Sequence, residues 1–249
     1  MNHWWGDNMY EKGRYLISGD RGLVVEFGNI ISETVNKKVR NLYLAIQKGH
    51  IKGINEMIPT YRSLLIHYNP IEIEIDNLIE KLMEIEKALD SIDLPKPGII
   101  EIPTIYGGEF GEDLNFVSEH NGISVDEVIK IHSSVDYLIY MLGFTPGFPY
   151  LGGMSEKIET PRLKIPRTKI PAGSVGIAGK QTGIYPIESP GGWQLIGKTP
   201  IKLYDPNSQI PIILQAGDYI RFIPIEQEEY DNIRSLVEKD LYEIKIVRS

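Results

Sequence analysis

Gly173-Ser174-Val175-Gly176-Ile177-Ala178-Gly179-Lys180-Gln181-Thr182-Gly183-Ile184-Tyr185-Pro186 decides how the second half of this chain folds. It holds a short apolar run, Val175 to Ala178, bounded on both sides by glycine, too short for a helix and typical of a strand between tight turns. The same pattern recurs along the chain. Tyr137 to Leu142, Trp193 to Ile196, Ile201 to Tyr204, Ile212 to Leu214 and Tyr219 to Pro224 are brief apolar or alternating runs separated by Gly and Pro clusters. So many short strands leave exposed edges unless the sheet curls onto itself, which predicts a closed or nearly closed β-barrel. A strand over Ile99 to Ile105 and a capping box at Ser124-Val125-Asp126-Glu127, opening a helix through Ile131-His132, precede them.

Working toward the N-terminus, Ser91-Ile92-Asp93-Leu94-Pro95-Lys96-Pro97-Gly98 has no periodicity, and its two prolines hold the residues before them extended. The domain break is placed there, giving domains 1–92 and 93–249. Before it, strands at Arg14 to Ser18 and Leu23 to Phe27 flank a turn at Gly19 to Gly22. A helix capped by Ser32 or Thr34 carries Val35, Val39, Leu42 and Ile46 on one stripe. Strands at Gly53 to Ile58 and Tyr61 to Tyr68 follow, then a helix capped by Asp76 with Leu78, Leu82, Ile85 and Leu89 on one face. The order is ββαββα, a small α+β domain whose sheet buries one face under two helices. The fold class is therefore α+β, an α+β domain followed by a barrel.

Composition narrows the function. The 249 residues contain no Cys, so disulfides, thiolate nucleophiles and cysteine metal sites are excluded. A net charge of -8 repels a phosphate backbone, which argues against a nucleic-acid partner. No window approaches about 18 uninterrupted apolar residues, so no membrane partner is expected. Met1 to Asp7 lacks a basic n-region and an apolar h-region, and a cytoplasmic location is expected. His3, His50, His67, His120 and His132 include no i, i+4 pair, and no metal site is expected. His67 and His132 read as satisfied structural histidines. Gly192 to Thr199 fits the P-loop pattern letter for letter, but Pro200 and the alternating Ile201-Lys202-Leu203-Tyr204 predict a following strand where a P-loop needs a helix.

Candidate site residues concentrate between Leu142 and Thr199. Gly143 to Gly153 presents aromatics, Tyr150 among them, on a loop stiffened by Gly and Pro. Pro161 to Pro171 carries Arg162, Lys164, Arg167 and Lys169, a local reversal of the global charge suited to a carboxylate or phosphate. Beside Gly173, Ser174 and Lys180, the residues Gln181, Thr182, Tyr185, Glu188 and Trp193 supply polar and aromatic groups on glycine-rich turns that let backbone approach a ligand.

Gly19-Asp20-Arg21 leading into Val25-Glu26-Phe27-Gly28, Tyr61-Arg62-Ser63-Leu64-Leu65, Gly143-Phe144 to Gly153, Pro161-Arg162 with Pro166-Arg167, Gly173 to Gly179, Tyr185-Pro186 and Pro190-Gly191-Gly192-Trp193 together resemble the KipI / PxpB family. That family is also described as subunit 1 of allophanate hydrolase, or the first half of a carboxyltransferase domain. The resemblance covers nearly the whole chain after Tyr15, although Lys198 stands where the family more often has Arg. It implies a cyclophilin-like barrel and one component of an ATP-hydrolysing 5-oxoprolinase, active with PxpC-like and PxpA-like subunits and using ATP with Mg²⁺ to open 5-oxoproline to glutamate by lactam phosphorylation. As carried over, Arg162 and Arg167 clamp anionic oxygens and Gln181 and Tyr185 orient lactam or nucleotide. Tyr150 and Trp193 wall the pocket, with Lys180, Gly173 and Ser174 beside it. The resemblance leaves two alternatives open, a contact inhibitor of a sporulation histidine kinase and half of a biotin-dependent carboxyltransferase of the urea carboxylase type.

Overall fold

The structure, a computed structural model, describes residues 8–92 and 94–248. The readings made on Met1 to Asp7, on His3 and on Asp93 fall outside these residues. The chain divides into two compact units, Met1–Lys96 and Pro97–Ser249, within the Pro-rich segment where the sequence places the break at 92/93.

In the first unit β1 (Met9–Ser18), β2 (Gly22–Gly28), β3 (Ile54–Pro59) and β4 (Ser63–Tyr68) form an antiparallel sheet in the order β1-β2-β4-β3. Helices α1 (Glu33–Gly49) and α2 (Ile75–Ala88) complete the expected ββαββα order. Ser32 caps α1 through its hydroxyl, which accepts from Val35 N–H at 3.2 Å, and the predicted stripe Val35, Val39, Leu42, Ile46 is buried with Leu23, Val25, Phe27, Leu64 and Ile66 of the sheet. One expectation is corrected: α2 starts behind Glu74 with no side-chain cap, so Asp76 lies in the first turn. There its charge meets the positive end of the helix dipole rather than an N-cap position. Glu86 of α2 ties down β1, accepting from Gly13 N–H at 2.7 Å and from Tyr15 Oη at 2.8 Å.

The second unit contains β5 (Gly98–Tyr106), α3 (Leu114–Asn121), α4 (Val125–Ser133), β6 (Asp136–Leu142), β7 (Pro149–Gly152), β8 (Arg167–Ile170), β9 (Ser174–Ala178), β10 (Gln181–Ile184), β11 (Ser189–Gly191), β12 (Gln194–Lys198), β13 (Tyr219–Pro224), α5 (Gln227–Glu238) and β14 (Ile246–Arg248). The main sheet runs β10-β9-β12-β5-β13-β6-β7, with β14 paired to β5. Strands β7 and β10 lie side by side without a ladder between them, leaving the barrel nearly closed. A separate ribbon pairs β8 with β11. Ile100, Ile102, Tyr137, Ile139, Val175, Ile177, Ile196 and Phe222 fill the barrel. Ser124 caps α4 as expected, its hydroxyl accepting from Glu127 N–H at 3.2 Å.

Two predicted strands are absent. Ile201 to Tyr204 and Ile212 to Leu214 meet only in an isolated bridge, Tyr204 to Ile212. Their alternation reflects buried Ile201 and Leu203 around exposed Lys202, not a ladder. No helix begins at Thr199 either; its N–H donates to the Gly173 carbonyl at 2.9 Å, and the P-loop-like letters belong to strand β12.

A polar relay crosses the barrel core. The Thr182 hydroxyl donates to the Gly176 carbonyl at 3.0 Å, so its oxygen accepts from His132 Nε2–H at 2.8 Å and leaves Nδ1 to accept from Tyr106 Oη at 2.8 Å. His132 is fully buried, packs on Phe222 at 4.4 Å between ring centroids, and has its pKa pushed down to about 3 by desolvation.

Candidate functional site

Elements of the second unit converge on a cleft of about 220 Å³. Its floor is aromatic. Phe148 stands edge-on to Phe144, Tyr150, Tyr185 and Trp193 with ring centroids 5.8, 5.5, 5.7 and 5.7 Å away. Such edge-to-face pairs stabilise by about 0.5–1.5 kcal/mol beyond burial and fix each ring's tilt. Phe144 forms the lip: Thr145 N–H donates to the Gly143 carbonyl at 2.8 Å, a γ-turn that holds Phe144 at φ 66° and leaves the residue 71% exposed.

The rest of the lining arrives from three further segments. Arg162 comes from the 161–166 loop, pinned where Leu163 N–H donates to the Gly192 carbonyl at 2.7 Å. Gln181 opens β10 and Tyr185 follows it, while Pro190 and Gly191 belong to β11. Gly191 has a specific reason to be glycine, because a Cβ there would lie 2.3 Å from Tyr185 Oη. Tyr185 is nearly fully buried, and desolvation raises its pKa against the opposing pull of the Arg162 guanidinium, the Trp193 backbone and Arg167. It stays protonated at neutral pH and offers an O–H donor. Among the described residues no Asp, Glu or His lines the cleft, so its own side chains supply a cation, two phenols and an amide but no base for neutral pH.

Of the residues singled out in the sequence, the structure brings together Arg162, Gln181, Tyr185, Tyr150 and Trp193. Four others stand elsewhere. The Arg167 guanidinium is spent on Glu112 and Asp113, with Nε 2.9 Å from Glu112 Oε1 and Nη2 2.9 Å from Asp113 Oδ1. Lys180 pairs on the surface with Glu156, which holds the ammonium pKa up and the Glu156 carboxyl down. Gly173 sits at φ 83°, where a Cβ would fall 2.4 Å from the Thr199 carbonyl oxygen, and Ser174 is buried at the start of β9. These two shape the barrel turn. Arg162 differs from its neighbours: Arg167 pairs with Glu112 and Asp113 and Lys169 with Glu188, whereas among the described residues Arg162 has no carboxylate partner. Sequence reasoning missed Asp113, which reaches Arg167 from the start of an unpredicted helix.

Comparison with known proteins gives the cleft a context. The family described as "Carboxyltransferase domain, subdomain C and D" matches residues 14–214. A Bacillus subtilis (strain 168) protein named as the B subunit of 5-oxoprolinase is 44% identical over 233 residues, covering 87% of this chain and 95% of that protein. A solved structure of a conserved uncharacterized protein from Pyrococcus horikoshii is 46% identical with a TM-score of 0.52, covering 87% of this chain and 100% of that one. The solved structure of TTHA0988 is 36% identical with a TM-score of 0.75 over 83% of this chain, which spans 40% of that longer chain.

Proposed function

This chain belongs to the carboxyltransferase-domain family that includes proteins named as the B subunit of 5-oxoprolinase, and on that premise we propose that it fills the same place in a 5-oxoprolinase, with a cleft that receives 5-oxoproline. One observation carries the reading: Arg162 brings a cation without a carboxylate counter-ion into an aromatic-walled cleft of about 220 Å³. That volume lies below the usual 300–1,000 Å³ of drug-sized sites and suits a ligand of few heavy atoms. Arg162 holds the substrate carboxylate through charge-assisted hydrogen bonds. Tyr185 donates its O–H toward the lactam carbonyl, and Trp193 and Phe148 flank the ring and keep water from it. Gln181 reads the lactam amide.

ATP and Mg²⁺ do not fit this cleft. A triphosphate needs several cations or a backbone cradle, and the lining offers Arg162 alone, with no carboxylate to hold the metal. The nucleotide is therefore assigned to surfaces of PxpC-like and PxpA-like partners, and this chain contributes binding, orientation and exclusion of water. Phosphorylation of the lactam oxygen by ATP remains the chemistry proposed for the whole assembly.

The test is glutamate release from 5-oxoproline with ATP and Mg²⁺, comparing this chain alone, with the PxpC-like subunit, and with both partners. Turnover confined to the complete mixture, with the KM for 5-oxoproline raised by Arg162→Ala, is the expected result. An assembled complex without turnover, or an unchanged KM in the variant, would overturn the proposal.

A further inference from the structure

Arg167 does not itself line the cleft; it reaches a lining residue only through the Trp193 backbone. Its Nη2 group donates to both Asp113 carboxylate oxygens at 2.9 Å, its Nε to Glu112 at 2.9 Å, and its Nη1 to the Trp193 carbonyl oxygen at 3.2 Å. Asp113 then holds Leu195 at both ends: Oδ2 accepts from Leu195 N–H at 2.6 Å, and the Asp113 N–H donates to the Leu195 carbonyl at 2.9 Å. The segment that carries Trp193 into β12 is thereby gripped on one side. On the other side the Trp193 side chain rests on two glycines. A Cβ at Gly183 would lie 3.1 Å from indole Cζ3, and one at Gly176 would lie 3.2 Å from the Trp193 Cβ.

We infer that Arg167 is a positioning residue: acting through Asp113 and the Trp193 carbonyl, it fixes the Trp193 indole as a wall of the cleft without touching the ligand. Only a planar guanidinium with five donors spans Glu112, Asp113 and Trp193 together; an ammonium at the same place keeps the charge and loses the span. The choice of ligand rests on the 5-oxoproline reading, whereas the indole's placement rests on geometry alone.

The experiment uses a Trp4→Phe/Trp5→Phe background, which leaves Trp193 as the remaining tryptophan of the three. Near-UV circular dichroism and emission are recorded on the full chain without ligand, and KM and kcat for 5-oxoproline on the assembled enzyme. Arg167→Lys is expected to weaken the Trp193 dichroism, shift its emission to the red and raise KM about tenfold. Asp113→Asn should reproduce both changes, and the double variant should be no worse than the worse single one, as two parts of one device behave. Gly183→Ala, which displaces the indole from the opposite side, should give the same signature with Arg167 intact. Arg162→Lys should raise KM and leave the Trp193 spectrum alone. An unchanged Trp193 spectrum in Arg167→Lys overturns the inference, as does a KM effect of Arg167→Lys that persists in full on Asp113→Asn. If the wild-type assembly does not turn over 5-oxoproline, the functional reading fails separately, and the ligand-free spectra still decide the positioning role.

Discussion

The buried His132 makes the second unit acid-sensitive in a way that can be separated from ordinary carboxylate titration. Its folded-state pKa of about 3 lies below the ordinary 6.5, so between these values the unfolded chain binds a proton that the folded chain refuses. Stability is full well above pH 6.5 and falls as the pH drops toward the folded-state value, by about 3 kcal/mol on reaching about pH 4.5. Burial away from water lowers the value, and the relay offers the added proton no acceptor. Protonating Nδ1 would set two donors against each other, because Tyr106 Oη already donates to it and Thr182 cannot compensate while its own proton is held by Gly176. His132→Gln removes the titration. It also leaves the Tyr106 hydroxyl without its acceptor, costing about 1–3 kcal/mol at about pH 7.5. Denaturant unfolding followed by Trp193 emission in the Trp4→Phe/Trp5→Phe background reads the second unit at each pH. The wild-type advantage should shrink by about 3 kcal/mol between about pH 7.5 and about 4.5. Parallel stability curves for the two proteins, or an imidazole resonance of His132 titrating near 6.5, would refute the assignment.

Three further outcomes are expected. Gly191→Ala drives a methyl to 2.3 Å from Tyr185 Oη, so it should raise the KM for 5-oxoproline in the assembled enzyme while far-UV circular dichroism stays unchanged; an unaltered KM would remove Tyr185 from the ligand's contacts. Gly173→Ala combines a φ of 83° with a 2.4 Å approach to the Thr199 carbonyl, and calorimetry should show the second unit destabilised by about 1–3 kcal/mol; an unchanged melting temperature would contradict the strain. Lys180→Ala breaks only exposed ion pairs with Glu156 and Glu159, so kcat/KM should not move, and a tenfold loss would place Lys180 at the ligand.

Much of the architecture was legible because local signals agreed with the tertiary outcome. Ser32 followed by a 3.6-residue stripe gave α1, and Tyr219 to Pro224 gave β13 at its observed bounds. The misreadings share a physical cause. Ile201-Lys202-Leu203-Tyr204 alternates because alternate side chains are buried, yet its pairing with neighbouring backbone stops at the single bridge from Tyr204 to Ile212. Helix α3 buries only Leu114 and Val117, too sparse a stripe to announce itself, and with it Asp113 went unseen. The candidate site split along the same line. Arg162, Gln181, Tyr185, Tyr150 and Trp193 sit on turns and strand ends whose glycines, prolines and rings are visible as a cluster. Arg167 looked equivalent to Arg162, because nothing in the neighbouring residues reveals that its partner lies 54 positions upstream.

The placement of β5 in the middle of the barrel sheet has a consequence for how the protein is made. Residues 99–104 run parallel to 219–224, residues 105 and 106 pair with 198 and 197, and residues 98–100 pair with 248–246. The earliest strand of the second unit is thus the one whose neighbours are synthesised last, whereas every strand of the first unit finds its neighbours within residues 9–68. During translation the first unit can fold behind the ribosome while residues 98–104 of β5 wait with both edges bare, a stretch rich in Ile that can pair with any other open edge. Ribosome-bound chains stalled before residue 219 should hold a protease-resistant first unit beside an aggregation-prone second one, making the interval between residues 106 and 219 the period in which a holdase chaperone has most to protect.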